Sequence, residues 1–360
     1  MTKHKSALSA SRIKTLQQCS WKYWCNYILK LPDKSNEGAS RGWICHLIFE
    51  LLGNERHLSN YKLVTDSGSI YACPAIEKLV LYHANKLGVA DKDNLKMMDE
   101  MTINGLNYDF FGGDDEEPNE AISEQYFDIE ICKDDISFRM RGFIDKLFLY
   151  KDKSYALIRD FKSNKQMFKG KEITDNLQNL MYSMAVKHLF PDVKNTQSEF
   201  LFLKFEMQKD MFNNPGKGVL RMDPVLQEEL SGLEYELTEI QNYIDNFDEE
   251  KALSNFAANQ GYPKDGTFGG PLACGKDGYK MRQGQPMLDK NGEPIVAFIC
   301  SHRKPMEYYA LLEDDKVIKS CFVEDKEDLI KIQKENQEIK LMKYSGCPHW
   351  HPPEHVDLFD

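Results

Sequence analysis

The sequence predicts an α/β fold, a central mixed sheet flanked by helices, and three observations carry that expectation. Residues 141 to 165 read as a β-hairpin: an apolar run from Phe143 to Tyr150 and another from Tyr155 to Phe161 enclose a polar Lys-Asp-Lys-Ser turn. Strand-like runs lie on both sides of it, Ala121 to Cys132 and Glu199 to Met207. Segments with apolar residues at helical spacing come before and after, so strands alternate with helices.

Taken in order, residues 8 to 31 suit a helix with Ser9 or Ser11 as N-cap and Ile13, Leu16, Tyr23 and Tyr27 on its apolar face, ended by Pro32. Its Arg12, Lys14 and Lys22 serve either phosphate contact or an ordinary solvated face. A second helix, Gly42 to Leu52, closes at Gly53 and carries His46 among apolar neighbours, as a packed residue or a metal ligand. Residues 54 to 106 read as a helical insertion. Phe110 to Glu120 is a loop, broken by Gly112 and Gly113 and followed by four acids without the spacing of a calcium loop. The strand Ala121 to Cys132 leads through Ile136 to Met140 into the hairpin, and its Glu124 is either an exposed strand charge or a neighbour of the hairpin's acids.

Beyond the hairpin, Asp175 to Phe190 is an amphipathic helix with Asp175 as its expected cap, and Gln178 and Tyr182 share one face. A turn at Asn213 to Gly218 and a helix from Pro224 to about Phe247 follow. Ala257 to Pro294 is rich in glycine and proline. Ile295 to Leu312 and Lys316 to Val323 then read as strands, and Lys326 to Leu341 as a helix. The expected division is residues 1 to 250 and an appended region, 251 to 360.

The hairpin carries the chemistry. If Asp152 and Lys153 form a two-residue turn, paired positions sum to 305 and Asp145 faces Asp160, with Cβ atoms about 5 Å apart. Lys162, two residues past Asp160, shares that face. Two carboxylates so close repel, and a hard divalent cation would relieve them and polarise a phosphodiester. Lys162 would orient the attacking water or stabilise developing charge. A solvated edge hairpin is the competing reading.

Composition narrows the class. A chain of 360 residues can bury a substantial core. Its net charge of -11 gives no support to nucleic-acid binding, although a local basic groove can coexist with an acidic exterior. Nine cysteines, an odd number, argue for thiols or a metal site over a disulfide framework. With no apolar run of about 18 residues and no signal-peptide-like N-terminus, a soluble cytoplasmic protein is expected.

Five weak motifs stand in one order: the opening 8–31, the G-x-x-x-H of Gly42 to His46, the G-x-x-D of Gly142 to Asp145, the D-x-K of Asp160 to Lys162, and the Q-x-x-x-Y of Gln178 to Tyr182. Together they resemble the RecB-like branch of the PD-(D/E)XK nuclease superfamily, over roughly residues 8 to 205. The resemblance implies that His46, Asp145, Asp160 and the main-chain carbonyl of Phe161 bind Mg²⁺ or Mn²⁺, that Lys162 assists attack by water, and that Gln178 and Tyr182 lie beside the DNA strand. It implies a DNA exonuclease acting at ends or in single strands, in phage or bacterial recombination, repair or processing, with a helicase or recombination protein as partner. Several members of that branch hold a 4Fe-4S cluster; Cys19 occupies the matching N-terminal position, while Cys274, Cys300 and Cys347 lack the family's tight grouping and would have to be gathered by the fold, for a cluster, for zinc, or as reduced structural thiols. The alternative is a non-catalytic DNA-binding or assembly protein on the same fold.

Overall fold

The computed structural model describes residues 4, 6–33, 36–113, 116–207, 216–254, 279–289, 292–297 and 300–349. They form two compact units, Met1–Ala10 with Ser35–Asp245, and Ser11–Lys34 with Asn246–Asp360.

The second unit begins with helices α1 (Ala10–Gln18) and α2 (Ser20–Tyr23) and a π-helical turn, Trp24–Ile28. The single helix expected over 8 to 31 is therefore broken at Cys19, whose sulfur caps α2 by accepting from the Lys22 amide. Of its basic residues, Arg12 lies over the ring of Tyr27.

The first unit starts with α3 (Glu37–Leu52), where the Asn36 side chain accepts from the Ala39 amide. Gly53 is its C-cap, as the sequence suggests, in the right-handed region with φ near -73°. Its missing side chain matters instead for close approach, because a Cβ there would collide with Ser123 Oγ. The insertion folds into α4 (Leu58–Ser67), α5 (Pro74–Lys86) and α6 (Lys92–Leu106). Ile76, Val80, Met98 and Met101 of these helices pack on Ile44 and Ile48 of α3 and on Phe161 and Leu201 of the sheet. That shared burial holds helices too short to persist alone.

The sheet has the order β1 (Glu120–Lys133), β2 (Ile136–Tyr150), β3 (Tyr155–Lys162), β4 (Asn195–Phe202) and β5 (Val219–Arg221). It is mixed: β3 and β4 run parallel and the other neighbours antiparallel. The strand expected at Glu199 to Met207 begins earlier and stops at Phe202, because its register is set by pairing Asn195 with Tyr155. The chain crosses over through α7 (Lys171–Thr174) and α8 (Leu177–Leu189), and α9 (Gln227–Asp245) follows β5. Asn176, and not Asp175, caps α8, accepting from the Asn179 amide. Asn213 of the expected turn lies outside the described residues.

Register places a polar rung across the sheet: Ser123, Lys146, Arg159, Glu199 and Arg221 are successive partners. Lys146 is buried, with Nζ 3.0 Å from Ser123 Oγ and 4.2 and 4.8 Å from the ring centres of Phe110 and Phe111. Burial, with the Arg159 charge adding, pushes its pKa down to about 8 from 10.5. Between those values the unfolded chain holds more protons, so stability rises with pH across that window, and the full cost of the buried charge is present below pH 8. Lys146→Met is expected to flatten that slope and to stabilise the fold at pH 7 by about 2–3 kcal/mol. Urea unfolding from pH 7 to 10 reads both effects, and an unchanged slope would refute the assignment.

The second unit continues with α10 (Glu249–Leu253), β6 (Met281–Arg282) and β7 (Gln285–Pro286). β8 (Met306–Glu313), β9 (Lys316–Phe322), α11 (Lys326–Ile330) and β10 (Glu338–Tyr344) then form a three-stranded sheet in the order β10-β8-β9 with one helical turn. The strand expected from Ile295 thus starts only at Met306. The helix expected to reach Leu341 ends at Ile330, and Leu341 pairs with Tyr309 in β10. No described helix is long and apolar enough to cross a membrane.

Candidate active site

The hairpin holds the expected register with a longer turn. Lys151–Lys153 make a 3-10 turn, and Ser154 adopts the left-handed conformation, φ 49°. The loop gains one residue on each side, so Lys146 still pairs with Arg159 and the sum of 305 survives. One rung on, Asp145 and Asp160 are neighbours on the face opposite Arg159. Asp145 Oδ2 accepts from the Phe161 amide at 2.8 Å, which fixes its carboxylate against β3.

Asp160 is only 4% exposed. Burial pushes its pKa up, Lys162 opposes this, and the Asp145 charge adds to it. Lys162 Nζ lies 2.6 Å from Asp160 Oδ2 and donates to Gln178 Oε1 at 2.8 Å. The Gln178 amide donates in turn to Asp160 Oδ1 at 2.6 Å and to the Tyr182 hydroxyl at 2.9 Å. Gln178 thus ties the acid to the lysine. Tyr182 stands edge-on to Phe127 and is partly buried. Both engage the site's own groups.

Helix α3 delivers His46. Its Nε2 is 3.0 Å from the Phe161 carbonyl oxygen, and its Nδ1 is 3.4 Å from Asp145 Oδ1. Helix and strand meet closely because Gly42, one turn earlier, has no side chain: a Cβ there would sit 2.5 Å from Ser163 Oγ. Burial works against a charge on His46, yet Asp145, Asp160 and Glu124 outweigh it and hold the ring up to about 9.

Glu124, for which the sequence left two readings open, is a neighbour of the hairpin's acids. It has φ 51°, a conformation unusual for a residue with a side chain. The pairs Ser123 with Lys146 and Gln125 with Ile144 flank it, so it stands across from Asp145. Burial first, then the Asp145 charge, pushes its carboxyl up to about 7. Ligand atoms of His46, Glu124 and Asp145 lie within 4.8 Å of one another. Three oxygen and nitrogen donors at that spacing could hold a hard divalent cation. The signal was available: a turn centred on Asp134 and Asp135 gives pairs summing to 269, which sets Glu124 opposite Asp145.

His4, Glu130 and Cys132 make a second group with such spacing. Both ring nitrogens of His4 are engaged, however, Nδ1 with Asp245 Oδ2 at 2.6 Å and Nε2 with Ser137 Oγ at 2.9 Å. That arrangement pins the N-terminal segment to α9.

In the second unit, burial pushes the Cys25 thiol up to about 12, the Tyr344 hydroxyl opposes this, and Cys300, Cys347 and Cys19 add smaller contributions. Cys274, of the set drawn from the sequence, lies outside the described residues. None of the described cysteines is in a disulfide. Among the described residues, the groups spaced to hold a metal ion include none of Cys19, Cys25, Cys300 and Cys347.

A mixed five-stranded sheet with two acids and a lysine on its central hairpin, faced by a helical histidine, is the architecture of a phosphodiester-cleaving fold. A model of the PD-(D/E)XK nuclease superfamily matches residues 7–263, and the chain belongs to that superfamily. No curated protein matches it.

Proposed function

We propose that the chain is a Mg²⁺- or Mn²⁺-dependent deoxyribonuclease, working as an exonuclease on DNA ends or single strands in phage or bacterial recombination, repair or processing. The convergence of His46, Glu124 and Asp145 around the Asp160–Lys162–Gln178 group carries this reading. His46, Asp145, Asp160 and the Phe161 carbonyl would hold the cation, with Glu124 beside them. A divalent cation there supplies Lewis acidity toward the phosphodiester and lowers the pKa of water.

The remaining work belongs to the side chains. Asp145, fixed by the Phe161 amide, keeps its second oxygen turned to His46. His46 gives up its proton when it becomes a ligand, so cation binding near neutral pH releases protons. Lys162, held by Gln178 and Asp160, offers a positive charge to the phosphoryl oxygens as negative charge grows on them.

End-labelled linear single- and double-stranded DNA, beside closed circular DNA, tests the reading with Mg²⁺ or Mn²⁺, using wild type and Asp160→Ala. Metal-dependent loss of the linear substrates by wild type alone is expected. Cutting of circles would make it an endonuclease. No cutting by folded protein would move it to the non-catalytic, DNA-binding reading.

A further inference from the structure

One face of the insertion helix α5 takes no part in the core. Lys78, Tyr82 and Lys86 recur every four residues and therefore share a face, and all three are exposed, Tyr82 by 64%. The helix has one acid, Glu77. The His83 ring makes edge contacts with both Tyr82, at 4.9 Å and 84°, and Trp43 of α3, at 4.9 Å and 70°.

Trp43 is 50% exposed. Packing does not account for it, because α3 and α5 already join through buried Ile44, Ile48, Ile76, Val80 and Ala84. Its position does. Trp43 lies three residues before His46, about 4.5 Å along the axis and on the same side of the helix. The Gly42 approach to Ser163 brings this turn against the chain immediately after Lys162.

We propose that Trp43, His83 and Tyr82, bordered by Lys78 and Lys86, form a ledge on which bases of single-stranded DNA stack as the strand enters from the His46 side, an inference that takes its ligand from the nuclease reading. Aromatic rings and lysines in alternation fit a single strand, whose bases offer free faces and whose phosphates need cations. Bases in a duplex are stacked on each other and offer no such face.

The test uses the full chain with Asp160→Ala, which keeps the probe intact, and a fluorescent thymidine oligonucleotide beside an abasic strand of equal length. Adding Trp43→Ala is expected to weaken thymidine binding by roughly ten-fold or more, and Tyr82→Ala by several-fold. Trp43→Phe should restore most of the loss, and the abasic strand should bind equally well with or without Trp43. The exposed pair Tyr126 and Phe143, rings 5.0 Å apart on β1 and β2, serves as the comparison. Unchanged binding by Trp43→Ala overturns the ledge, as does an equal loss for both strands or a loss confined to Tyr126→Ala and Phe143→Ala. So does absence of single-strand binding altogether. Digestion of the same oligonucleotide by wild type with Mn²⁺ is scored separately: binding without cutting sinks the nuclease reading and leaves the ledge, whereas cutting with normal Trp43→Ala binding sinks only the ledge.

Discussion

Lys162→Ala is expected to slow DNA hydrolysis by about 10²- to 10³-fold while leaving the fold intact. The loss of one preorganised charge facing the developing negative charge is of that size. A second effect follows from what Lys162 touches. Its ammonium is the counter-charge of Asp160, whose carboxyl burial already pushes up. Without it that pKa rises further, and since the site needs the carboxylate, activity is lost at a higher pH as the solution is acidified. The acid limb of the pH–rate profile should therefore move upward in Lys162→Ala. Gln178→Leu, which frees the lysine without removing it, should give a smaller loss with the same sign. A profile that drops in height without moving would separate Lys162 from Asp160 and refute the coupling.

Arg159→Ala should produce the largest loss of stability, about 3–5 kcal/mol, because it leaves a buried charge short of its partner. Arg159 is 1% exposed and Glu199 is fully buried. Arg159 Nε donates to Glu199 Oε1 at 2.9 Å, and its Nη1 donates to the Asp109 carbonyl at 2.7 Å. Arg221 donates to Glu199 Oε2 at 2.9 and 3.1 Å. Replacing both members, Arg159→Met with Glu199→Met, should cost less than Arg159→Ala alone, since the charge then left without its partner is Arg221, whose side chain is 44% exposed and reaches water. Chemical denaturation of the three proteins decides it. A single variant within about 1 kcal/mol of wild type would show that water or Arg221 supports Glu199 unaided.

The hairpin was legible because its evidence is local: two apolar runs and a short polar gap determine which residues face each other. Asp145 opposite Asp160 follows whether the loop has two residues or four, provided it grows evenly. Glu124 obeys the same arithmetic one hairpin earlier, and its two readings stayed open because its strand was read alone. The cap of α8 shows a finer limit, since Asp175 and Asn176 are both good caps and only the path into the helix selects Asn176. The grouping of Ser11–Lys34 with Asn246–Asp360 is of another kind. It joins segments more than two hundred residues apart, and no periodicity records such a pairing. In β10, the charges at Glu338, Lys340 and Lys343 break any period-two alternation, and the strand forms by pairing with β8.

The neighbouring rungs of the sheet carry opposite signs, Lys146 and Arg159 behind Asp145 and Asp160. A slip of β3 by one residue would turn Arg159 toward the proposed cation site and bury Asp160 among Phe49, Phe110 and Leu201. Such a chain would lose its solvation balance and its chemistry in the same step. Misregistered molecules are therefore unstable as well as inactive, and a population that survives unfolding and refolding should be fully competent, with no stable but catalytically dead fraction.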